Sequence, residues 1–122
     1  MNHILLVEDE VDIRDSCVQY LEILGYAVHG AQNSAEAFEA IEKHKPNILI
    51  LDLNLKEKMT GLDILKKALE LVPNAQAAIL TWLGESKIAK QCYAAGAKMI
   101  LEKPLPIEKF QETVEQLLKG LG

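Results

Sequence analysis

Cysteine is scarce in this chain. Only Cys17 and Cys92 occur among 122 residues, with no Cys-x-x-Cys spacing and no third ligand pattern, so neither a disulfide framework nor a zinc site is implied. Both fall on predicted helices, where a free thiol packs as a small apolar group. Long apolar runs are also missing. The first, Ile4 to Val7, is too short for a signal peptide and stops at Glu8, Asp9 and Glu10. No segment has the length that spans a bilayer. A reduced, cytoplasmic setting without a membrane partner is therefore expected. Clustered basic residues are absent as well. The formal net charge of −5 speaks against direct nucleic-acid binding, which leans on grouped Lys and Arg, and otherwise serves solubility. There is no internal repeat and no low-complexity linker. No Ser-, Thr- or Gly-rich phosphate loop follows the first apolar run, which weighs against a flavin site.

With 49% hydrophobic and 25% charged residues, the chain has the size and composition of one compact domain spanning 1–122. Ile48, Leu49, Ile50 and Leu51 form a continuous aliphatic run ending on Asp52, preceded by Pro46 and Asn47. Such a two-sided run suits a parallel strand covered by helices on both faces. Ile4 to Val7 reads as a second buried strand, with carboxylates at its end. Between them, Ile13, Cys17, Tyr20, Leu21 and Leu24 recur at helical spacing, with Gly25 as the left-handed stop. Tyr26 to Ala31 alternates like an edge strand, with His29 on one side and Val28 on the other. Asn33 or Ser34 caps a helix carrying Ala37, Phe38 and Ile41, which ends before Pro46.

After Asp52 a polar loop runs from Asn54 to Thr60. Gly61 leads into a third helix with Leu62, Leu65, Ala68, Leu69 and Val72, closed by Pro73 and Asn74. Ala75 to Leu80 reads as a strand ending at Thr81, although its alanines suit a helix equally. Ser86 to Ala95 forms a fourth helix with Gly96 at its stop, and Lys98 to Leu101 a short fifth strand. Ile107, Phe110, Val114, Leu117 and Leu118 give a final amphipathic helix. Five such alternations describe an α/β fold: a doubly wound five-stranded parallel sheet with helices on both faces, in the flavodoxin-like order 2-1-3-4-5.

In that fold Glu8, Asp9, Asp52, Thr81 and Lys103 collect at the carboxyl ends of strands, where ligands bind in open α/β sheets. Packed carboxylates repel, so one must hold a proton, stay solvated or be compensated by a cation. Oxygen-only ligands on a wet, shallow site suit Mg²⁺. A carboxylate beside that ion, with a hydroxyl and an ammonium nearby, is equipped to accept a phosphoryl group, with Asp52 as nucleophile. Taken singly, each has a plainer role: solvated turn, strand-end acid or surface lysine. His3, His29 and His44 show no ligand spacing and read as surface or sheet residues.

The order Glu8-Asp9, Asp52, Thr81 and Lys103-Pro104, with Gly25-Tyr26 and Ala95-Gly96-Ala97 between, resembles the receiver domain of bacterial two-component response regulators over essentially the whole chain. The resemblance implies that Asp52 is the phosphoacceptor, that Asp9 binds Mg²⁺ directly and Glu8 through water, and that Asn54 offers its main-chain carbonyl to the metal. It implies that Thr81 and Lys103 contact the phosphoryl group, Lys103 pairing with it only once attached, and that the Lys103–Pro104 bond is cis. The implied partner is a histidine kinase or histidine phosphotransfer protein. The output is an attached domain or a homodimer through the face of fourth helix, fifth strand and fifth helix. The chain is then a signalling switch and not an enzyme.

Three departures stand out. Ile100 occupies a place the family commonly gives to an aromatic switch, so the signal is expected to travel by backbone and helix shifts, with Thr81 pulling the loop of Trp82 and Leu83. Trp82 replaces a small residue; its indole either covers the crevice or packs away against the fourth helix. The loop after Asp52 lacks the usual proline and carries Lys56, Glu57 and Lys58. Two other readings compete: a receiver-like interaction module that works without phosphorylation, and a magnesium-dependent phosphatase, against which Asn54 and the small size both count.

Overall fold

The computed structural model describes residues 2–82 and 86–121. Strands and helices alternate as β1 (His3–Val7), α1 (Val11–Ile23), β2 (Ala27–Ala31), α2 (Ser34–His44), β3 (Ile48–Asp52), α3 (Gly61–Leu71), β4 (Gln76–Thr81), α4 (Ser86–Ala95), β5 (Met99–Glu102) and α5 (Ile107–Lys119). All pairings are parallel, and the strand order is β2-β1-β3-β4-β5. This is the doubly wound order expected from the sequence, with β2 at an edge.

The continuous apolar runs are buried on both faces because successive side chains of a strand point to opposite sides. Leu5, Val7, Leu49 and Leu51 pack under α2, α3 and α4 with Ala37, Ile41, Ile64, Leu65 and Cys92. Their neighbours Ile4, Leu6, Ile48 and Ile50 pack under α1 and α5 with Cys17, Leu21, Phe110 and Val114. The residues Ile48 to Leu51 have no exposed surface, and burying each contributes about 1.5–3 kcal/mol. The alanines of β4 follow the same rule: Ala77 faces one core and Ala78 the other. Helix propensity is a weak prior, and insertion between β3 and β5 overrides it.

Local signals act where the sequence places them. Asn33 accepts the Glu36 amide at 2.9 Å and caps α2, and Gly25 takes a φ of +99° after α1. The apolar stripes differ at their ends. Ile13 is 44% exposed, because the first turn of α1 overhangs the crevice at the strand ends. On α5, Thr113 fills a core position, its hydroxyl donating to the Lys109 carbonyl at 2.7 Å. A hydroxyl satisfied by its own helix costs little to bury.

The start of α3 sets the strand end that matters most. Thr60 N donates to Asp63 Oδ2 at 2.8 Å and Thr60 Oγ1 accepts from Leu62 N at 3.2 Å, which satisfies donors at the helix start. Gly61 then passes so close to β3 that a Cβ there would lie 2.5 Å from the Asp52 carbonyl oxygen and 3.1 Å from Leu53 Cα. Gly61→Ala is expected to lower the urea midpoint by an amount equal to about 1–3 kcal/mol, the usual cost of overpacking. Gly25→Ala meets no neighbour within 4 Å and is expected to cost only the left-handed penalty of about 1–2 kcal/mol. Paired denaturation curves check both, and amide shifts at Asp52 and Leu53 should move in the first variant alone.

Candidate functional site

The site lies where β1, β3, β4 and β5 end together. Asp52 is the last residue of β3 and is fully buried. An ionised carboxylate is buried only with partners, and Asp52 has two. Its Oδ1 accepts the Asn54 amide at 2.9 Å, and its Oδ2 accepts the Lys103 ammonium at 2.8 Å. The sequence assigns Lys103 a contact with the phosphoryl group once it is attached and leaves its resting partner open. In the structure its ammonium already holds the Asp52 carboxylate, because Lys103 follows β5 directly and only β4 separates β5 from β3. The Lys103–Pro104 bond is cis.

Glu8 and Asp9 follow β1 and complete an acidic cluster with Asp52, with one oxygen of each within 4.8 Å of the others. Glu8 is 4% exposed, and among the described residues neither of its carboxylate oxygens has a hydrogen-bond partner. Burial, followed by the adjoining Asp52 carboxylate, pushes its carboxyl from the ordinary 4.5 up to about 8. The repulsion expected from the sequence is thus met in two ways: Lys103 compensates Asp52, and Glu8 holds its proton. Arg14 steadies this turn by donating to the Glu8 carbonyl at 2.8 Å. Buried Cys17 lies nearby, its thiol pushed up to about 11 by burial and then by Glu8. It is a core thiol, as expected.

Asp9 is more open and accepts the Lys56 amide at 3.0 Å. Glu57 accepts the Ser34 amide at 2.7 Å. The loop that lacks a proline is therefore tied to both β1 and the start of α2. Thr81 closes β4 and is buried, and its hydroxyl donates to Asn54 Oδ1 at 3.3 Å. The same oxygen accepts the Trp82 amide at 3.3 Å. Asn54 therefore has a side-chain role, latching the end of β4 to the loop after β3. Sequence reasoning missed it, considering only the residue's main-chain carbonyl.

Trp82 is 49% exposed, and Lys103 Nζ lies 4.9 Å from its ring centroid, within cation–π range. The indole leans over the lysine on the crevice side. It lines a cavity of about 270 Å³ with Glu8, Cys17, Lys103, Pro104 and Phe110. Leu83, expected to move with it, lies outside the described residues. Ile100 is half-buried and packs against the core under α2, α3 and α4.

A buried carboxylate, an ammonium on one of its oxygens, a hydroxyl one strand away and two further acids can hold a hard cation and an incoming anionic group together. Comparison with known proteins agrees. A family model described as the response regulator receiver domain matches residues 4–115. The transcriptional regulatory protein YesN of Bacillus subtilis, itself described as uncharacterized, is 34% identical over 124 residues; the match covers 99% of this chain and 33% of that protein. A CheY-like receiver domain protein from Methanospirillum hungatei superposes with a TM-score of 0.91 at 29% identity, covering 99% of this chain and 96% of that one. A response regulator from Burkholderia pseudomallei, solved with a phosphorylated aspartic acid, calcium ion and citrate, has a TM-score of 0.82 at 26% identity, covering 98% and 75%. The chain spans a third of one relative and nearly all of another. It belongs to the response regulator receiver domain family of two-component signal transduction.

Proposed function

We propose that Asp52 is the phosphoacceptor of this receiver, taking a phosphoryl group from a phosphohistidine on a histidine kinase or phosphotransfer protein. The reading rests above all on the fully buried Asp52 carboxylate held at 2.8 Å by Lys103. The phosphorylated aspartic acid of the B. pseudomallei neighbour supports it. Asp52 Oδ forms the new P–O bond while the P–N bond of the donor breaks and its imidazole recovers the electron pair. Lys103 then moves its ammonium from the carboxylate to the phosphoryl oxygens. Thr81 turns its hydroxyl from Asn54 to the same group, exchanging one hydrogen bond for a charge-assisted one.

The acidic cluster fits Mg²⁺ by its donors alone. All are oxygens, and Glu8 carries two buried oxygens with no partner among the described residues. Asp9, Asp52 and the Asn54 main-chain carbonyl would hold the ion, with Glu8 acting through water. When bound, the ion supplies positive charge against the phosphoryl oxygens and the carboxylates.

The output is proposed to pass through the α4-β5-α5 face, where Tyr93 and Ile107 are exposed, to an attached domain, a partner or a second copy. Among the described residues no helix is long and apolar enough to cross a membrane, in keeping with a proposed cytoplasmic setting. The whole of 1–122 is proposed to act as one receiver unit.

Incubation with Mg²⁺ and acetyl phosphate is expected to add one phosphoryl group by intact mass, and Asp52→Asn to abolish the gain. An unmodified wild type would favour an interaction module that works without phosphorylation.

Glu8 makes stability depend on pH. The folded carboxyl keeps its proton up to about 8, whereas the unfolded chain releases it near 4.5. Between those values the folded state binds more protons, so stability falls as pH rises. The metal-free melting temperature is expected to drop from pH 5 to pH 8, and Glu8→Gln to flatten that slope. Mg²⁺ should restore most of the loss at pH 8, since a ligand of the folded state stabilises it by mass action. Differential scanning calorimetry across this range checks all three.

Trp82 holds Lys103 over the acceptor and so opposes its transfer to the phosphoryl group. An exposed cation–π contact is worth about 0.5–1 kcal/mol, so Trp82→Ala should speed phosphorylation by about two- to fivefold. Stopped-flow fluorescence of wild type, whose only tryptophan is Trp82, should change on phosphorylation as the lysine leaves the ring. Phosphorylation of the variant is followed by intact mass.

A further inference from the structure

At the opposite end of the sheet from Asp52, three imidazoles converge that the sequence left scattered. In β1 the residues His3, Leu5 and Val7 share one face, and in β2 His29 and Ala31 share the same face, since His29 is in register with Leu5. The buried stripe of α2 runs through Ala37 and Ile41, and His44 continues it at helical spacing. His44 is the last residue of α2, so it lands over the start of β1 and β2. One ring nitrogen from each of His3, His29 and His44 lies within 4.8 Å of the others. His3 Nδ1 is 3.0 Å from His29 Nε2, and the rings of His29 and His44 stack with centroids 3.6 Å apart and planes 8° from parallel.

We propose that His3, His29 and His44 form a binding site for a borderline divalent transition ion of the zinc class, separate from the acidic crevice and independent of the reading of that crevice. Three imidazoles with an open fourth position are a common donor set for such ions, and imidazole suits them far better than Mg²⁺. The ligands sit on two paired strands and one helix end, so their backbone positions are preset. The carboxyl end of α2 adds a partial negative charge that favours a cation, which offsets the nearby Lys43. A cavity of about 350 Å³ beside His29 and His44, lined also by Glu36 and Glu39, gives access from solvent and room for a fourth ligand.

Coordination uses lone pairs that lie in the ring planes at about 2.0–2.1 Å from zinc, whereas the present rings are stacked face to face. Binding therefore requires the His29 and His44 rings to turn out of their stack, and this is the signature to measure. Zn²⁺ is titrated into the full chain with Mg²⁺ in millimolar excess to occupy the acidic cluster, while two-bond ¹H–¹⁵N spectra follow the imidazoles. One equivalent of Zn²⁺ is expected to shift nitrogens of all three histidines and remove the ring-current shifts of the stack. Co²⁺ in its place should give the intense visible bands of a nitrogen-rich, low-coordinate site. His44→Gln and His29→Gln should each weaken binding at least tenfold while keeping the wild-type circular dichroism spectrum and a cooperative melt, which report that the variants fold. Histidine signals that ignore Zn²⁺, a weak octahedral Co²⁺ spectrum, or unchanged affinity in both folded variants would overturn the proposal. The wild-type spectra decide the question even if a variant fails to fold.

Discussion

The Lys103 ammonium on the Asp52 carboxylate is the contact on which the crevice depends. Asp52 is fully buried, and a carboxylate without a partner in that position is not tolerated. Removing one member of a buried pair typically costs about 3–5 kcal/mol, although the pair itself is weak evidence for net stability. Its value here is positional. It joins the ends of β3 and β5 across the intervening β4, and it places a cation on one oxygen of the buried carboxylate. Trp82 lies over that cation, so the lysine is held between an indole and a carboxylate.

Around this pair the protein tolerates polar groups that are not at rest. Glu8 is buried without a hydrogen-bond partner among the described residues, and its proton is the means by which the fold accepts two neighbouring acids. The Thr81 hydroxyl rests on Asn54 at a long 3.3 Å. Such contacts are easily exchanged for stronger ones, which suits the phosphoryl transfer proposed for Asp52. The loop after β3 is fastened more firmly, by bonds of 3.0 Å from the Lys56 amide to Asp9 and 2.7 Å from the Ser34 amide to Glu57. Gly61 keeps α3 against the backbone of Asp52 and Leu53.

The two ends of the sheet differ in chemistry. The carboxyl end gathers oxygen ligands and an ammonium, and the amino end gathers imidazoles. Oxygen ligands that suit hard cations and nitrogen ligands that suit borderline cations are therefore kept apart on one small fold. The parallel sheet is the cause, since it sends all strand starts to one side and all strand ends to the other.

The sequence by itself determined the number and order of elements, the two-sided burial of β1 and β3, the stop at Gly25, and the presence of Glu8, Asp9, Asp52, Thr81 and Lys103 at strand ends, while it left the cap of α2 open between Asn33 and Ser34, which the structure gives to Asn33. These features are written in spacing over a few residues, and a strand or helix answers mainly to its own periodicity. Only the tertiary structure decided that Lys103 already grips Asp52, 51 residues away, that the Asn54 side chain latches Thr81, and that Ile13 is exposed while Thr113 is core. It alone brought His3, His29 and His44 together. Each of these depends on strand register and on which helix end overhangs which strand. Those quantities arise when elements pack, and no local pattern in the chain encodes them.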